Sequence, residues 1–285
     1  MNTGKLSLGV IGNGYVGGAV VSGFRSKGCK VLVFDQRKDR CENYLHEVLD
    51  CDFVFACLPT PMTDSYGGPV NLGAIERFFE NVIKEERYSP IYIIKSTVPP
   101  GVTESIRAKS NGNIKIVHNP EFLTAANAND DFENADRIVI GGLPHLTSNV
   151  AILYEKFFPY SDILEMSSGE SELVKYAANC FLATKVTYFN LIYKLCESLN
   201  LDYGVVSMGV ATDYRIGDSH YEVPGPDGDF GFGGTCFPKD LNGLIHIMYD
   251  SNVSTALLKE VWDTNKIIRK NWDWSDNPSA VSETS

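Results

Sequence analysis

The sequence predicts an α/β fold: a doubly wound parallel sheet first, then an all-helical region. Three observations carry this reading. Short apolar runs rich in β-branched residues recur through the first half: "LSLGVI", "KVLVFD", "DFVFACL", "IYIIKS", "IKIVHN" and "DRIVIGG". Segments of helical period lie between several of them, notably 72–87 and 101–109, and such alternation implies parallel strands joined by right-handed crossovers. From Ser168 the pattern changes to one long helix, with Leu173, Tyr176, Ala177, Cys180, Phe181, Thr184, Val186 and Leu191 at helical spacing. The third observation is a glycine-rich turn directly after the first strand.

That turn, "GNGYVG", places Gly12, Gly14 and Gly17 in the G-x-G-x-x-G pattern. After a strand and before a helix, the first glycine permits a tight turn, the second lets a pyrophosphate approach the backbone, and the third lets helix and strand pack closely. The helix N-terminus then offers N–H groups and a partial positive charge to phosphates. The next strand ends in Asp35, 23 residues after Gly12, near the spacing of an acid that binds an adenosine ribose. An acid there repels a 2′-phosphate and favours NAD over NADP, a preference softened by Arg37, Lys38 and Arg40. The first part, residues 1–167, is therefore read as a Rossmann-like dinucleotide-binding domain.

In parallel sheets, ligands bind beyond the carboxyl ends of the strands. The sequence places polar residues there: Thr60 in "CLPTP", Ser96 and Thr97 in "STVPPG", Asn119 and Glu121 in "HNPEF". Each alone is ordinary loop polarity; after successive strands they suggest a site.

The helix from Ser168 runs to about Leu199, some 45 Å at 1.5 Å per residue, which suits a domain or dimer spine. Ser168, Ser171 and Glu172 supply helix-start chemistry, and Lys175 and Asn179 share a face at i, i+4. Further helices are expected over about 202–211, 238–250 and 254–270. Between the first two of these lies "TDYRIGDSHYEVPGPDGDFGFGGTCFPKD", a long Gly- and Pro-rich loop with few core-forming residues, and loops of that length are usually functional or disordered. It carries Arg215, His220 and Tyr221, and its glycines deliver a single thiol, Cys236, to a place where another molecule can approach. Residues 168–270 are read as a helical central domain, and the tail from Asn271 as frayed, with Trp272 and Trp274 able to dock.

The bulk properties bound the function. The chain has 285 residues, 44% hydrophobic and 21% charged, which suits about two soluble domains. A net charge of −11 argues against broad nucleic-acid or anionic-membrane binding. No stretch approaches the roughly 18 to 20 apolar residues of a membrane span. Seven cysteines without regular spacing argue for reduced thiols and a cytoplasmic setting rather than a disulfide framework. The N-terminal apolar run lacks a cleavage site for a secretory signal, and no metal site is expected.

Eight segments in order, GNGYVG, the strand ending in Asp35, CLPTP, STVPPG, NPEFL, ESELVKYAANCFLATK, RIGDSHYEVPGPDG and GFGGTCFPKD, resemble the nucleotide-sugar (UDP-glucose/GDP-mannose) dehydrogenases across about residues 6–270. The resemblance implies NAD as cofactor and a two-step oxidation of a primary alcohol to a carboxylate, with a cysteine thiohemiacetal and thioester between. It implies Cys236 as nucleophile, Lys175 and Asn179 on the oxyanion, Glu121 as general base, and Asp240 and Thr97 as water-positioning groups. Gly12, Gly14, Tyr15, Val16, Gly17, Asp35, Arg40, Thr60, Thr97 and Lys239 fall on cofactor positions. Glu121, Phe122, Leu123, Lys175, Asn179, Arg215, Tyr221 and Gly233 fall on substrate positions, with Arg215 reaching a neighbouring subunit and the long helix forming a homodimer.

The sequence departs from the family pattern in two places. Ala125 stands where members usually carry a second glutamate, and no strand–helix repeats follow the helical domain where members have a further nucleotide-binding domain. The loop "VPGPDG…GFGGTCFPKD" leans toward UDP-glucose as substrate; GDP-mannose and UDP-N-acetylmannosamine are the alternatives within the family. A simple hydroxyacid dehydrogenase would have no need of Cys236. A non-catalytic NAD-binding or dimerisation remnant is opposed by the survival of Cys236, Lys175, Asn179, Glu121 and Asp240 together.

Overall fold

The computed structural model describes residues 6–85, 87–124 and 127–282; Ala125 lies outside them. In chain order the elements are β1 (Ser7–Ile11), α1 (Tyr15–Ser26), β2 (Lys30–Phe34), α2 (Leu45–Leu49), β3 (Phe53–Ala56), α3 (Gly73–Glu85), β4 (Ile91–Ile94), α4 (Val102–Lys109), β5 (Lys115–His118), α5 (Ala128–Glu133), β6 (Arg137–Gly142), α6 (Pro144–Phe157), β7 (Asp162–Met166), α7 (Ser168–Leu199), α8 (Tyr203–Ala211), α9 (Phe237–Asp250) and α10 (Ala256–Ile268). They form two units: Met1–Thr60 with Leu72–Lys175, and Pro61–Asn71 with Tyr176–Ser285. The division falls inside α7, after Lys175, rather than at the start of that helix.

The first unit is a seven-stranded sheet in the order β2-β1-β3-β4-β5-β6-β7. Alternation of side chains along each strand sorts the apolar residues into two cores. Leu8, Val10, Phe55, Ile93 and Val117 join one cluster with Phe24 of α1 and Val150 of α6. Ile11, Val54, Ala56, Ile94 and Ile116 join the other, with Ile75 and Phe79 of α3 and Ile106 of α4. Burial on both faces is what a parallel sheet between helical layers requires, and it explains why these strands read as continuous apolar runs.

Two features depart from a purely parallel expectation. β6 runs antiparallel to β5, with Val117 opposite Gly142, while every other pair is parallel. The connection from β5 to β6, carrying only the short α5, therefore begins and ends at one edge of the sheet. That edge is the carboxyl end of the parallel strands, so the described residues of 119–124 and 127–136 lie on the ligand side. The seventh strand, β7, has no counterpart in the sequence pattern: it pairs with β6 at the sheet edge, and its residues are mostly exposed, leaving no apolar run to betray it.

The second unit gathers α9, α10 and the later turns of α7 around Cys180, Ala183, Phe232, Leu241, Ile245, Val261, Trp262 and Trp274. Residues 61–71 belong to it: Trp262 Nε1 donates to the Tyr66 carbonyl at 2.8 Å and Trp274 Nε1 to the Ser65 carbonyl at 3.1 Å. The tail expected to fray from Asn271 is instead packed through Ser282. Trp272 and Trp274 stack at 5.5 Å, Trp274 is fully buried, and Met62 exchanges backbone hydrogen bonds with Ala280 (2.6 Å) and Ser282 (2.7 Å). The buried Trp274 ring, 5.3 Å from Trp262, and the backbone pairing with Met62 together tie the segment down.

Candidate active site

The nucleotide turn lies between β1 and α1. Gly12 has φ +88°, and a Cβ there would meet the Cys57 carbonyl oxygen at 2.4 Å. A Cβ on Gly17 would lie 1.8 Å from the Gly12 carbonyl oxygen, so α1 can sit this close to the turn only with glycine at both positions. Gly14 differs. A Cβ there would meet only an Arg40 guanidinium nitrogen, at 3.9 Å; the space is open rather than filled by protein. Gly14 is also the N-cap of α1, with no side chain capping the helix and no acid in its first turn. An open, uncapped helix N-terminus with a guanidinium beside it fits a pyrophosphate.

The Asp35 carboxylate accepts from the backbone N–H of Asn13 at 2.6 Å and of Arg37 at 2.8 Å, which places its negative charge at the turn. Asn13 in addition ties the Arg40 carbonyl, at 2.9 Å. Tyr15 and Val16 open α1, and the Tyr15 hydroxyl donates to the Thr124 carbonyl. Thr60 and Thr97 are both buried, following β3 and β4 respectively. The two strand ends are held by Ser96, whose Oγ donates to the Leu58 carbonyl at 2.6 Å and accepts from the Leu58 N–H at 2.9 Å.

Beyond β5 the first unit brings together four of the predicted substrate residues. Lys175 Nζ pairs with Glu121 Oε1 at 3.0 Å, their side chains only 2% and 7% exposed. The other carboxylate oxygen accepts from the Leu123 N–H at 2.7 Å, and the Phe122 ring lies 5.3 Å from the Lys175 ammonium. Burial by itself would raise the Glu121 carboxyl; the Lys175 charge, the Leu123 N–H and the Lys95 charge together overcome it and hold the group below its ordinary value. Glu121 is therefore an ionised carboxylate at neutral pH, able to accept a proton. A pocket of about 470 Å³ opens beside it, lined in part by Asn119, Phe122, Arg137 and Tyr154.

Three buried polar residues here escape a reading of the sequence. Lys95 donates to Asn119 Oδ1 at 3.0 Å, and burial brings its ammonium down to about 8. Its signal is a charge ending the apolar run "IYIIKS". His118 bonds Ser171 Oγ at 2.8 Å and is pushed down to about 3 by burial, so it is neutral and holds β5 to α7. Glu172, expected only as helix-start chemistry, accepts from Gly101 N (2.6 Å), Thr103 N (2.9 Å) and Thr103 Oγ1 (2.6 Å). It caps α4 from a distant helix and fixes the rotation of α7 that directs Lys175 toward Glu121.

In the second unit, Asn179, one helical turn beyond Lys175 on α7, donates to Asp240 Oδ2 at 2.6 Å. Lys239 pairs with the other oxygen of Asp240, and Asp240 is fully buried. Cys236 is the N-cap of α9, with Pro238 in the first turn; its half-buried thiol lies 3.7 Å from Thr235 Oγ1. Gly233 lies against the Arg269 guanidinium. The Tyr221 carbonyl accepts from the Tyr203 hydroxyl, and its ring packs 6.0 Å from Phe189. Arg215 is exposed and held by Asp213, two residues before it, Nε to Oδ1 at 2.9 Å. Among the described residues, no group of three or more His, Cys, Asp or Glu is arranged to hold a metal, and no helix is long and apolar enough to cross a membrane.

The sheet order, with its reversal of direction around β1, and the open glycine turn define a dinucleotide-binding dehydrogenase fold. Comparison with known proteins gives the family. The NAD-binding domain of the UDP-glucose/GDP-mannose dehydrogenase family matches residues 40–158, and its central domain residues 169–267. The chain belongs to that family. A UDP-glucose 6-dehydrogenase of Rickettsia conorii is 36% identical over 232 residues, 78% of this chain and 51% of the relative. A UDP-glucose dehydrogenase structure from Pyrobaculum islandicum superposes with a TM-score of 0.81 at 29% identity, covering 93% of this chain and 69% of the other. A 3-hydroxyisobutyrate dehydrogenase from Mycobacterium tuberculosis shares the fold, with a TM-score of 0.74 at 17% identity over 93% of this chain and 94% of that one. The chain spans about half the length of the curated relatives it matches.

Proposed function

We propose that this protein oxidises the C6 hydroxymethyl group of UDP-glucose to a carboxylate in two NAD-dependent steps, with Cys236 as covalent nucleophile. One observation carries the reading: the family's glycine-rich turn ends in a half-buried thiol at the N-cap of α9.

NAD, when bound, would supply the hydride acceptor for both oxidations. Gly12, Gly14 and Gly17 would seat its pyrophosphate on α1, Arg40 would add a positive charge there, and Asp35 would receive the adenosine ribose. Loss of the hydroxyl proton and a C6 hydride leaves an aldehyde. Cys236 Sγ adds to the aldehyde carbon, and the carbonyl electron pair moves onto oxygen. Lys175 and Asn179 stabilise that oxyanion through charge and N–H donation. Expulsion of the second hydride converts the thiohemiacetal to a thioester. Glu121 removes a proton from water, the water oxygen attacks the thioester carbon, and the C–S bond breaks to return the thiolate. In sum, R–CH2OH, two NAD+ and water become R–COO−, two NADH and three H+. The covalent stage divides a four-electron oxidation into two hydride transfers. Asp240 and Thr97 orient the water. Phe122, Leu123, Tyr221 and Gly233 line the sugar, and Lys239 and Thr60 the cofactor.

The partner we infer is a second copy of the chain. Phe181, Tyr188, Leu191, Leu195 and Leu199 on α7 are large, apolar and each about half exposed or more, and a homodimer would cover them and bring Arg215 to a neighbouring sugar. All seven cysteines are free thiols, which supports a reducing, cytoplasmic setting.

The test is NADH formation with UDP-glucose, GDP-mannose and UDP-N-acetylmannosamine, each supplied alone, alongside Cys236→Ser. Two NADH per UDP-glucose, with the variant making no acid while still binding NAD, is the expected result. Full acid production by Cys236→Ser would refute the covalent mechanism.

A further inference from the structure

The loop that ends at Cys236 is held by side chains from elsewhere in the second unit, two of them, Asn190 and Asn265, buried. The Gly231 N–H donates to Asn190 Oδ1 of α7 at 3.0 Å. Asn265 of α10 grips Phe232 at both backbone atoms, accepting from its N–H at 2.8 Å and donating to its carbonyl at 2.9 Å. The Gly234 N–H donates to Asp273 Oδ2 at 2.9 Å.

At the centre of these contacts is Arg269, whose side chain is 3% exposed. Its Nη2 pairs with Asp227 at 2.7 Å and with Asp273 at 3.1 Å, and its Nε donates to the Asn271 carbonyl at 2.8 Å. Nη1 is buried with no hydrogen-bond partner. A Cβ on Gly233 would lie 2.3 Å from Arg269 Nη2 and 2.3 Å from Asp273 Oδ1. The glycine three positions before Cys236 thus has to be glycine because the guanidinium lies against its backbone.

A buried guanidinium with one nitrogen unsatisfied is a poor way to stabilise a helix end, since desolvation offsets most of the ion-pair energy. Its forked donors are well suited to fixing geometry, because they hold two carboxylates and a carbonyl in set directions. We propose that Arg269 is a positioning residue for Cys236. It clamps Asp227, at the start of the loop's last turns, to Asp273, which in turn holds Gly234, and so sets the backbone from which the thiol projects. The docked tail therefore acts on the cysteine through Asp273. The inference deepens the assignment of Cys236 as nucleophile and rests on it for its kinetic consequence, but the clamp itself is tested without turnover.

The experiment compares the full chain with Arg269→Gln, Arg269→Lys, Gly233→Ala and Asp273→Asn. Three quantities are followed: hydrogen exchange of residues 225–236, the rate of iodoacetamide labelling of the Cys236 peptide by mass spectrometry, and kcat and KM for acid formation. Arg269→Gln and Gly233→Ala are expected to accelerate loop exchange about tenfold and to change Cys236 labelling at least about threefold. In Arg269→Gln a displacement of the thiol by about 1 Å lowers kcat by about 100-fold, with KM changed by less than about threefold; Gly233→Ala, at a glycine that also lines the sugar, is read by exchange and labelling alone. Arg269→Lys, keeping the charge without the fork, is expected to fall between. Asp273→Asn, at a side chain 36% exposed, is expected to keep the fold if Arg269→Gln does not, and to move the same readouts in the same direction. Faster exchange throughout the second unit, with Cys236 labelling unchanged in every folded variant, would reduce Arg269 to a stability role and overturn the proposal. If the unmodified chain makes no acid, the nucleophile assignment fails, while exchange and labelling still decide the clamp.

Discussion

Removing one partner of the Lys175–Glu121 pair leaves a charge stranded in the sheet unit. At 3.0 Å and an effective dielectric of about 20, the attraction is roughly 5 kcal/mol. Breaking such a buried pair costs about 3–5 kcal/mol. Lys175→Met is expected near the lower end, because Lys95 and the Leu123 N–H continue to support the Glu121 carboxylate. Glu121→Gln leaves the Lys175 ammonium near a neutral amide and costs a similar amount. The double variant is expected to recover part of the loss, giving a coupling of at least about 1.5 kcal/mol in urea unfolding at pH 7. The pH dependence follows from the direction of the shift. The Glu121 carboxyl lies below its unfolded value, so its contribution is fully present above that unfolded value, near about 4.3, and is lost as pH falls through the folded one. In Lys175→Met that loss moves to higher pH. Additive single-variant costs, or an acid limb unchanged by Lys175→Met, would refute the argument that this pair governs the ionisation of Glu121.

Two further outcomes follow from packing. Gly17→Ala puts a methyl group 1.8 Å from the Gly12 carbonyl oxygen, so α1 must move off the turn; NAD affinity by fluorescence titration is expected to fall at least about tenfold, and unchanged affinity would contradict the seating of the pyrophosphate on α1. Trp274→Ala empties a fully buried site and is expected to destabilise the helical unit by about 3–5 kcal/mol; a change below about 1 kcal/mol in urea unfolding would mean that the tail is not part of its core.

The candidate site residues legible in the sequence are those whose signal is local. Gly12, Gly14, Gly17 and Asp35 are read from spacing, because a turn, a helix start and a strand end are consecutive along the chain. Cys236, Lys239 and Asp240 likewise lie within one short stretch, "TCFPKD". The long helix is visible over its whole length because a 3.6-residue period repeats many times within it. Lys95, His118 and Glu172 are not legible as site supports, since their partners are supplied by distant strands and helices.

From its sequence alone the protein is determined to be an α/β chain with a nucleotide turn, a long helix and a thiol presented by glycines. These follow from steric rules and side-chain periods that act over a few residues. Only the tertiary structure decided that β6 returns antiparallel and keeps Asn119 and Glu121 on the ligand side, that Pro61–Asn71 packs with the helical unit, and that the tail docks through Trp274. It likewise decided that Glu121 is ionised against Lys175 and that Arg269 lies on Gly233. Each of these depends on which buried surfaces and charges meet across tens or hundreds of residues, and burial, not local preference, sets their energies.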